Sequence, residues 1–132
     1  MNQIIASVTD IQSVENLNIV TFDANNHLLK MMSLDLSSRL EVGAKVSLSF
    51  KPTTVAIAKN ISGELSFSNQ LKVKIISMEV GKLLASLKLS FDAYTLESII
   101  TTASIKRMDL EVGESVIALI KSSDLSIGSV YS

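Results

Sequence analysis

Hydrophobic and polar positions alternate through most of this chain. Ile4, Ala6 and Val8 take turns with Gln3, Ser7 and Thr9, and period two with β-branched residues marks a strand with one buried face. The pattern predicts a first strand from Asn2 to Val14. Glu15-Asn16 interrupts it as a turn, Leu17 to Phe22 resumes it, and Asp23-Ala24-Asn25-Asn26 has the composition of a hairpin turn. His27 to Leu34 fits a strand and a helix equally. Asp35-Leu36-Ser37-Ser38-Arg39-Leu40 reads as one capped helical turn. Gly43 then permits a turn into a strand from Lys45 to Phe50, and Pro52 ends that strand ahead of a last one, Thr54 to Ala58.

The second half runs through the same order. Strands are expected from Asn69 to Val80, Leu83 to Phe91 and Tyr94 to Thr102, with Gly81 as a turn. A short helix, Ala103 to Asp109, leads to strands Ser115 to Lys121 and Leu125 to Gly128. Thr95 to Met108 also admits one long helix, but Ile99-Ile100-Thr101-Thr102 and the parallel with the first half favour strand and then helix. The parallel is literal. Leu110-Glu111-Val112-Gly113 repeats Leu40-Glu41-Val42-Gly43 at an offset of 110 − 40 = 70, and the following Val116 and Lys121 match Val46 and Lys51. Asn69-Gln70-Leu71 repeats Asn2-Gln3-Ile4 at 69 − 2 = 67, so the second copy is three residues longer between these anchors. One small unit is written twice, as residues 1–60 and 67–132 with a polar linker at 61–66. Five short strands and a helical turn per copy predict an all-β chain of two five-stranded barrels of the oligonucleotide/oligosaccharide-binding type. Each has a short helix, and the two lie in tandem about a pseudo-twofold axis.

Composition sharpens this picture. Units of such size lie near the lower limit for burying an adequate core. With no cysteine in 132 residues, neither disulfides nor thiolate metal sites help them. Yet 47% of the residues are hydrophobic and only 19% charged, an excess that predicts burial between units and an oligomer. A net charge of −1 provides no field to recruit nucleic acid or an anionic membrane. No apolar run approaches the length of a membrane span. Met-Asn-Gln-Ile-Ile-Ala does not have the basic-then-apolar pattern of a secretory leader, and a cytoplasmic protein is expected.

Catalytic chemistry is sparse. The only histidine, His27, falls in a hairpin turn and reads as a solvated residue. Glu41 and Glu111 are equivalent copies ahead of glycine turns, not an asymmetric acid and base. Met31, Met32, Met78 and Met108 read as core or interface packing. What remains is small hydroxyls beside lysine at strand ends: Lys121-Ser122-Ser123 closes one strand and Ser66-Phe67-Ser68-Asn69-Gln70 opens another. Hydroxyls, amide nitrogens, backbone N–H groups and an ammonium are all donors, as a fully deprotonated oxyanion requires. Such a ring also selects against hydrogen phosphate, whose proton would find no acceptor.

These residues meet a family. Asn69-Gln70-Leu71-x-x-Lys74-Ile75, Ile99-Ile100-Thr101-Thr102 and Leu110-Glu111-Val112-Gly113-Glu114 through Lys121-Ser122-Ser123 resemble the Mop (TOBE) domain of molbindins, the small molybdate-binding proteins. The resemblance covers the second copy and, more loosely, the first. It implies the barrel fold, molybdate or tungstate as ligand with no organic cofactor, no enzymatic activity, a trimer, and sites at interfaces between units. The family opening Ser-x-Arg-Asn-Gln-Leu is matched by Ser66, Asn69, Gln70 and Leu71, with Ser68 at the arginine position, so a guanidinium is missing. The closing Lys-x-Ser is matched by Lys121 and Ser123, and Thr101 or Thr102 falls where a family hydroxyl contributes. In the first copy the opening is cut to Asn2 and Gln3. There Lys51 is followed by Pro52, which removes one backbone donor and leaves Thr53 and Thr54 as hydroxyls. A ligand-free TOBE-type interaction or regulatory module is the alternative expectation.

Overall fold

The computed structural model describes residues 1–36 and 39–131. In chain order its strands are β1 (Asn2–Val14), β2 (Leu17–Ala24), β3 (His27–Ser33), β4 (Lys45–Phe50), β5 (Ala56–Ala58), β6 (Asn69–Val80), β7 (Leu84–Phe91), β8 (Tyr94–Thr101), β9 (Ser115–Ile120) and β10 (Ser126–Tyr131). Helix α1 (Thr102–Met108) lies between β8 and β9, and short 3₁₀ turns at Pro52–Thr54 and Ser122–Asp124 follow β4 and β9. The undecided segment after His27 is therefore a strand, and Thr95 to Met108 is strand followed by helix. The strand expected from Thr54 to Ala58 is shorter, because Pro52 sits at the start of a 3₁₀ turn where its missing N–H is not required. Of the helical turn expected from Asp35 to Leu40, Ser37 and Ser38 lie outside the described residues, and Asp35, Leu36, Arg39 and Leu40 are not helical.

The first three strands of each copy correspond at an offset of 67, whereas β4 and β9 correspond at 70. The three additional residues thus fall between β8 and β9, where α1 is. Thr101 starts this helix: its hydroxyl accepts the N–H of Ser104 at 3.1 Å. Asp109 ends it in the left-handed conformation.

The repeated Leu-Glu-Val-Gly segment has the same task in both copies. Gly43 and Gly113 adopt φ of 95° and 94°, a conformation that favours glycine. Each N–H reaches back to the long first strand: Gly43 to the Val8 carbonyl at 2.8 Å, Gly113 to the Ile75 carbonyl at 2.7 Å. At those points β1 and β6 shift register against β2 and β7, a bulge that bends the strand. The bend curls each sheet.

The two sheets are all-β and five-stranded, in the orders β10-β4-β1-β2-β3 and β5-β9-β6-β7-β8. Each sheet therefore takes its last strand from the other copy. Strand β5 pairs antiparallel with β9, and β10 with β4. Residues 1–60 and 67–132 are the repeats of the sequence, but neither repeat supplies a whole sheet. The exchange preserves every local pattern, since β4 and β9 are copies of one another and offer the same edge.

Inward positions alternate as the sequence predicts: Ile4, Ala6, Val8, Phe22, Leu48 and Phe50 in one sheet, Leu71, Val73, Ile75, Leu89, Phe91 and Ile120 in the other. All of them belong to one continuous apolar cluster. Two undersized cores are fused into one of ordinary size.

Candidate oxyanion site at the strand ends

Two buried asparagines hold the halves together, and they set where the strand-end turns lie. Asn69, wholly buried at the start of β6, accepts the Lys30 N–H on Oδ1 at 2.7 Å and donates from Nδ2 to the Lys30 carbonyl at 3.0 Å. Asn2, at the start of β1, does the same with Glu97: its Oδ1 accepts the Glu97 N–H at 2.8 Å and its Nδ2 donates to the Glu97 carbonyl at 2.8 Å. Lys30 and Glu97 are in the edge strands β3 and β8, and 2 + 67 = 69 and 30 + 67 = 97 make the clamps equivalent. Each side-chain amide acts as one rung of strand pairing on an otherwise open edge.

The lysine turns flank these clamps. Asn69 pairs with Ile120, the last residue of β9, so Lys121, Ser122 and Ser123 follow directly beside it. The 3₁₀ turn Ser122–Asp124 packs on β3 of the first copy. Asn2 pairs with Phe50, so Lys51 and Thr53 stand in the equivalent place, against β8. There the buried Ser98 hydroxyl donates to the Val55 carbonyl at 2.7 Å. Lys51, Thr53, Lys121 and Ser123 are exposed. The ion pairs among the described residues are His27–Asp92, Lys59–Glu114 and Lys88–Glu97, so neither turn lysine is neutralised by a carboxylate. Two features break the equivalence: Pro52 stands where Ser122 does, and Asp124 closes the second turn where Thr54 closes the first, the Thr54 hydroxyl donating to the Lys51 carbonyl at 2.7 Å.

The remaining expected site residues divide. Ser66, Ser68 and Gln70 are exposed on the segment entering β6, with the Gln70 amide donating to the Phe67 carbonyl at 2.9 Å. Gln3 is exposed on β1. Thr101 and Thr102 are not brought to this place. Besides capping α1, this pair reaches the far end of β6: the Thr102 hydroxyl donates to the Gly81 carbonyl at 2.9 Å, twelve strand residues from Asn69. His27 is more engaged than a solvated turn residue. Its Nε2 lies 3.2 Å from Asp92 Oδ2 and its ring 4.7 Å from that of Phe91, so it joins the hairpin turns of the two sheets.

Sequence reasoning missed Lys59. Its ammonium donates to the Met108 and Asp109 carbonyls at 2.9 and 2.8 Å, capping α1, and pairs with Glu114 at 2.8 Å. The hydrogen bond and charge of Glu114 raise the Lys59 pKa, and Lys59 in turn lowers that of Glu114, in both cases against the cost of burial. A lone lysine just after the last strand of the first copy carries no signal of this in the sequence. For the asparagines a signal existed: each occupies an inward position of its strand, in step with Leu71 or Ile4, where a polar residue must find partners.

A tandem of curled five-stranded sheets, with an unpaired ammonium and hydroxyls in a turn at each seam, defines a small β-barrel binding module. The TOBE domain model matches residues 65–127. A probable molybdenum-pterin-binding protein of Haemophilus influenzae is 33% identical over 66 residues, 49% of this chain and 96% of that protein. The chain belongs to this TOBE-domain family. The molybdate-bound structure of the cytoplasmic molybdate-binding protein ModG superposes with a TM-score of 0.89, covering 96% of this chain and 94% of that one, at 22% identity. The fold of both halves, and of their tandem, is thus a known one.

Proposed function

We propose that this chain is a non-enzymatic molybdate-binding protein of the cytoplasm, serving storage or homeostasis, with tungstate as an alternative ligand of the same charge and shape. The observation that carries the reading is the duplicated lysine-and-hydroxyl turn at each seam, in a chain of the same family as a probable molybdenum-pterin-binding protein. Lys121, Ser122 and Ser123 hold the oxyanion, with Ser66, Ser68 and Gln70 from a neighbouring unit; Asn69 positions the turn through its clamp on Lys30. Lys51, Thr53 and Gln3, beside the Asn2 clamp, form the poorer equivalent, because Pro52 offers no N–H where Ser122 does. Exposed turns do not desolvate a dianion by themselves, so each site is completed by a second chain in a trimer.

The test is equilibrium dialysis with elemental analysis, against an excess of sulfate. Retained molybdenum that sulfate does not displace is the expected result. A protein that emerges without molybdenum would be an interaction module instead.

A further inference from the structure

We propose a second, separate ligand site in this chain, on the outer face of the second sheet, for a small organic phosphomonoester. Lys72 and Lys74 stand on the outward face of β6, with the buried Leu71, Val73 and Ile75 on the other. They line a cavity of about 540 Å³ together with Ser90 and Ser115, and Asn60 and Ile61 cover one side where the chain leaves β5. Lys74 is the centre of a cross-strand row, paired with Ser90 on β7 and with Ser115 on β9. Side chains so placed lie about 5 Å apart. Hydroxyl, ammonium, hydroxyl is therefore the order across the floor, with Lys72 two residues, about 6.6 Å of backbone, along the strand from Lys74.

The lining contains no carboxylate, and the nearest acid in the chain, Glu114 beside Ser115, is held by Lys59. Neither lysine has an ion-pair partner among the described residues. Two like charges side by side on one strand face oppose each other unless an anion lies between them. The first copy is an internal control. Its equivalent row is Asp23–Ser7–Lys45, and Ile5 stands in place of Lys72. That row is already neutral.

The chemistry selects the ligand. Two ammoniums match a phosphomonoester, which carries close to two negative charges at neutral pH. The volume lies within the range of small-molecule pockets, larger than a bare tetrahedral anion requires. Ala58, Ile61 and Ile117 offer apolar wall to an organic body. None of these residues belongs to the strand-end turns, so the two sites are independent.

The probe is phenyl phosphate, titrated into the full chain by calorimetry, with amide resonances of Lys74, Ser90 and Ser115 followed by NMR. Saturable binding that shifts those amides is expected, about ten- to hundredfold weaker in Lys72→Gln/Lys74→Gln and unchanged in Lys121→Ala. Inorganic phosphate should bind more weakly than phenyl phosphate. The outward lysines do not touch the core, so the double variant should keep the wild-type melting temperature; should it unfold, Ser90→Asp replaces it and should abolish binding by repulsion. No saturable binding, equal affinity in the lysine variant, loss of binding in Lys121→Ala, or inorganic phosphate binding as tightly as the ester would each overturn the proposal.

Discussion

At the scale of single residues, the same side-chain types do different work according to which face of a strand carries them. Asn2 and Asn69 look like ligand donors in the sequence, since they sit beside Gln, Ser and Lys at a strand start. The structure gives all four of their hydrogen bonds to the backbone of the opposite sheet. Asn69→Ala would leave the Lys30 N–H and carbonyl without those partners and should cost about 1–3 kcal/mol. Chemical denaturation that finds Asn69→Ala as stable as the wild type would show the clamp to be incidental. Lysines at the turns are the opposite case. Lys121 touches no carboxylate and no core, so Lys121→Ala should leave the melting temperature in place. A charge-assisted hydrogen bond to a desolvated dianion is worth about 1.5–3 kcal/mol, so molybdate affinity should fall about ten- to hundredfold. Lys51→Ala should have the smaller effect. Titrations placing both variants at wild-type affinity would make these lysines merely solvated.

At the scale of elements, nearly every strand was legible, because alternation reports directly on which face is buried. Leu71, Val73 and Ile75 against Gln70, Lys72 and Lys74 permit only one reading of β6. The segment after His27 was not legible: Leu28 and Met32 are apolar yet exposed on the outward face of β3, and Leu34 is exposed just after it, which erases the contrast. Helix α1 was expected within one residue of its place, but what holds it was hidden, since Lys59 comes from the other copy. That contact has a pH signature. Glu114 has a lowered pKa in the folded state, so its stabilisation is present above the ordinary carboxylate value and is lost as pH falls through the folded one. Lys59 has a raised pKa, so its share is present below the ordinary lysine value and is lost only as pH rises through the folded one. Glu114→Gln should therefore melt below the wild type at neutral pH, and the gap should close as pH falls through the lowered pKa of Glu114. A gap that is constant with pH would place the destabilisation outside this ion pair.

At the scale of the whole molecule, the sequence showed two copies but not how they are joined. Strands β5 and β10 carry short apolar patterns that fit the edge of β4 as well as that of β9, and periodicity says nothing about which copy receives them. The exchange has a consequence for assembly. Once the halves share one core, the surface left over still carries large apolar groups: Val80, Leu83 and Leu84 at the β6–β7 hairpin are 51, 78 and 58% exposed, and Leu28 on β3 and Leu34 just after it are 66 and 71% exposed. Exposed apolar groups that adjoin one another, as these do at the β6–β7 hairpin, suit a surface that meets another chain. The proposed trimer would cover them and enclose the strand-end turns at the same time, which links assembly to ligand affinity. Sedimentation at micromolar concentration should find three chains, and Leu83→Lys/Leu84→Lys should shift the mass towards one chain while weakening molybdate binding. A wild-type protein that sediments as a single chain would end the trimer proposal, and with it the enclosed site at Lys121.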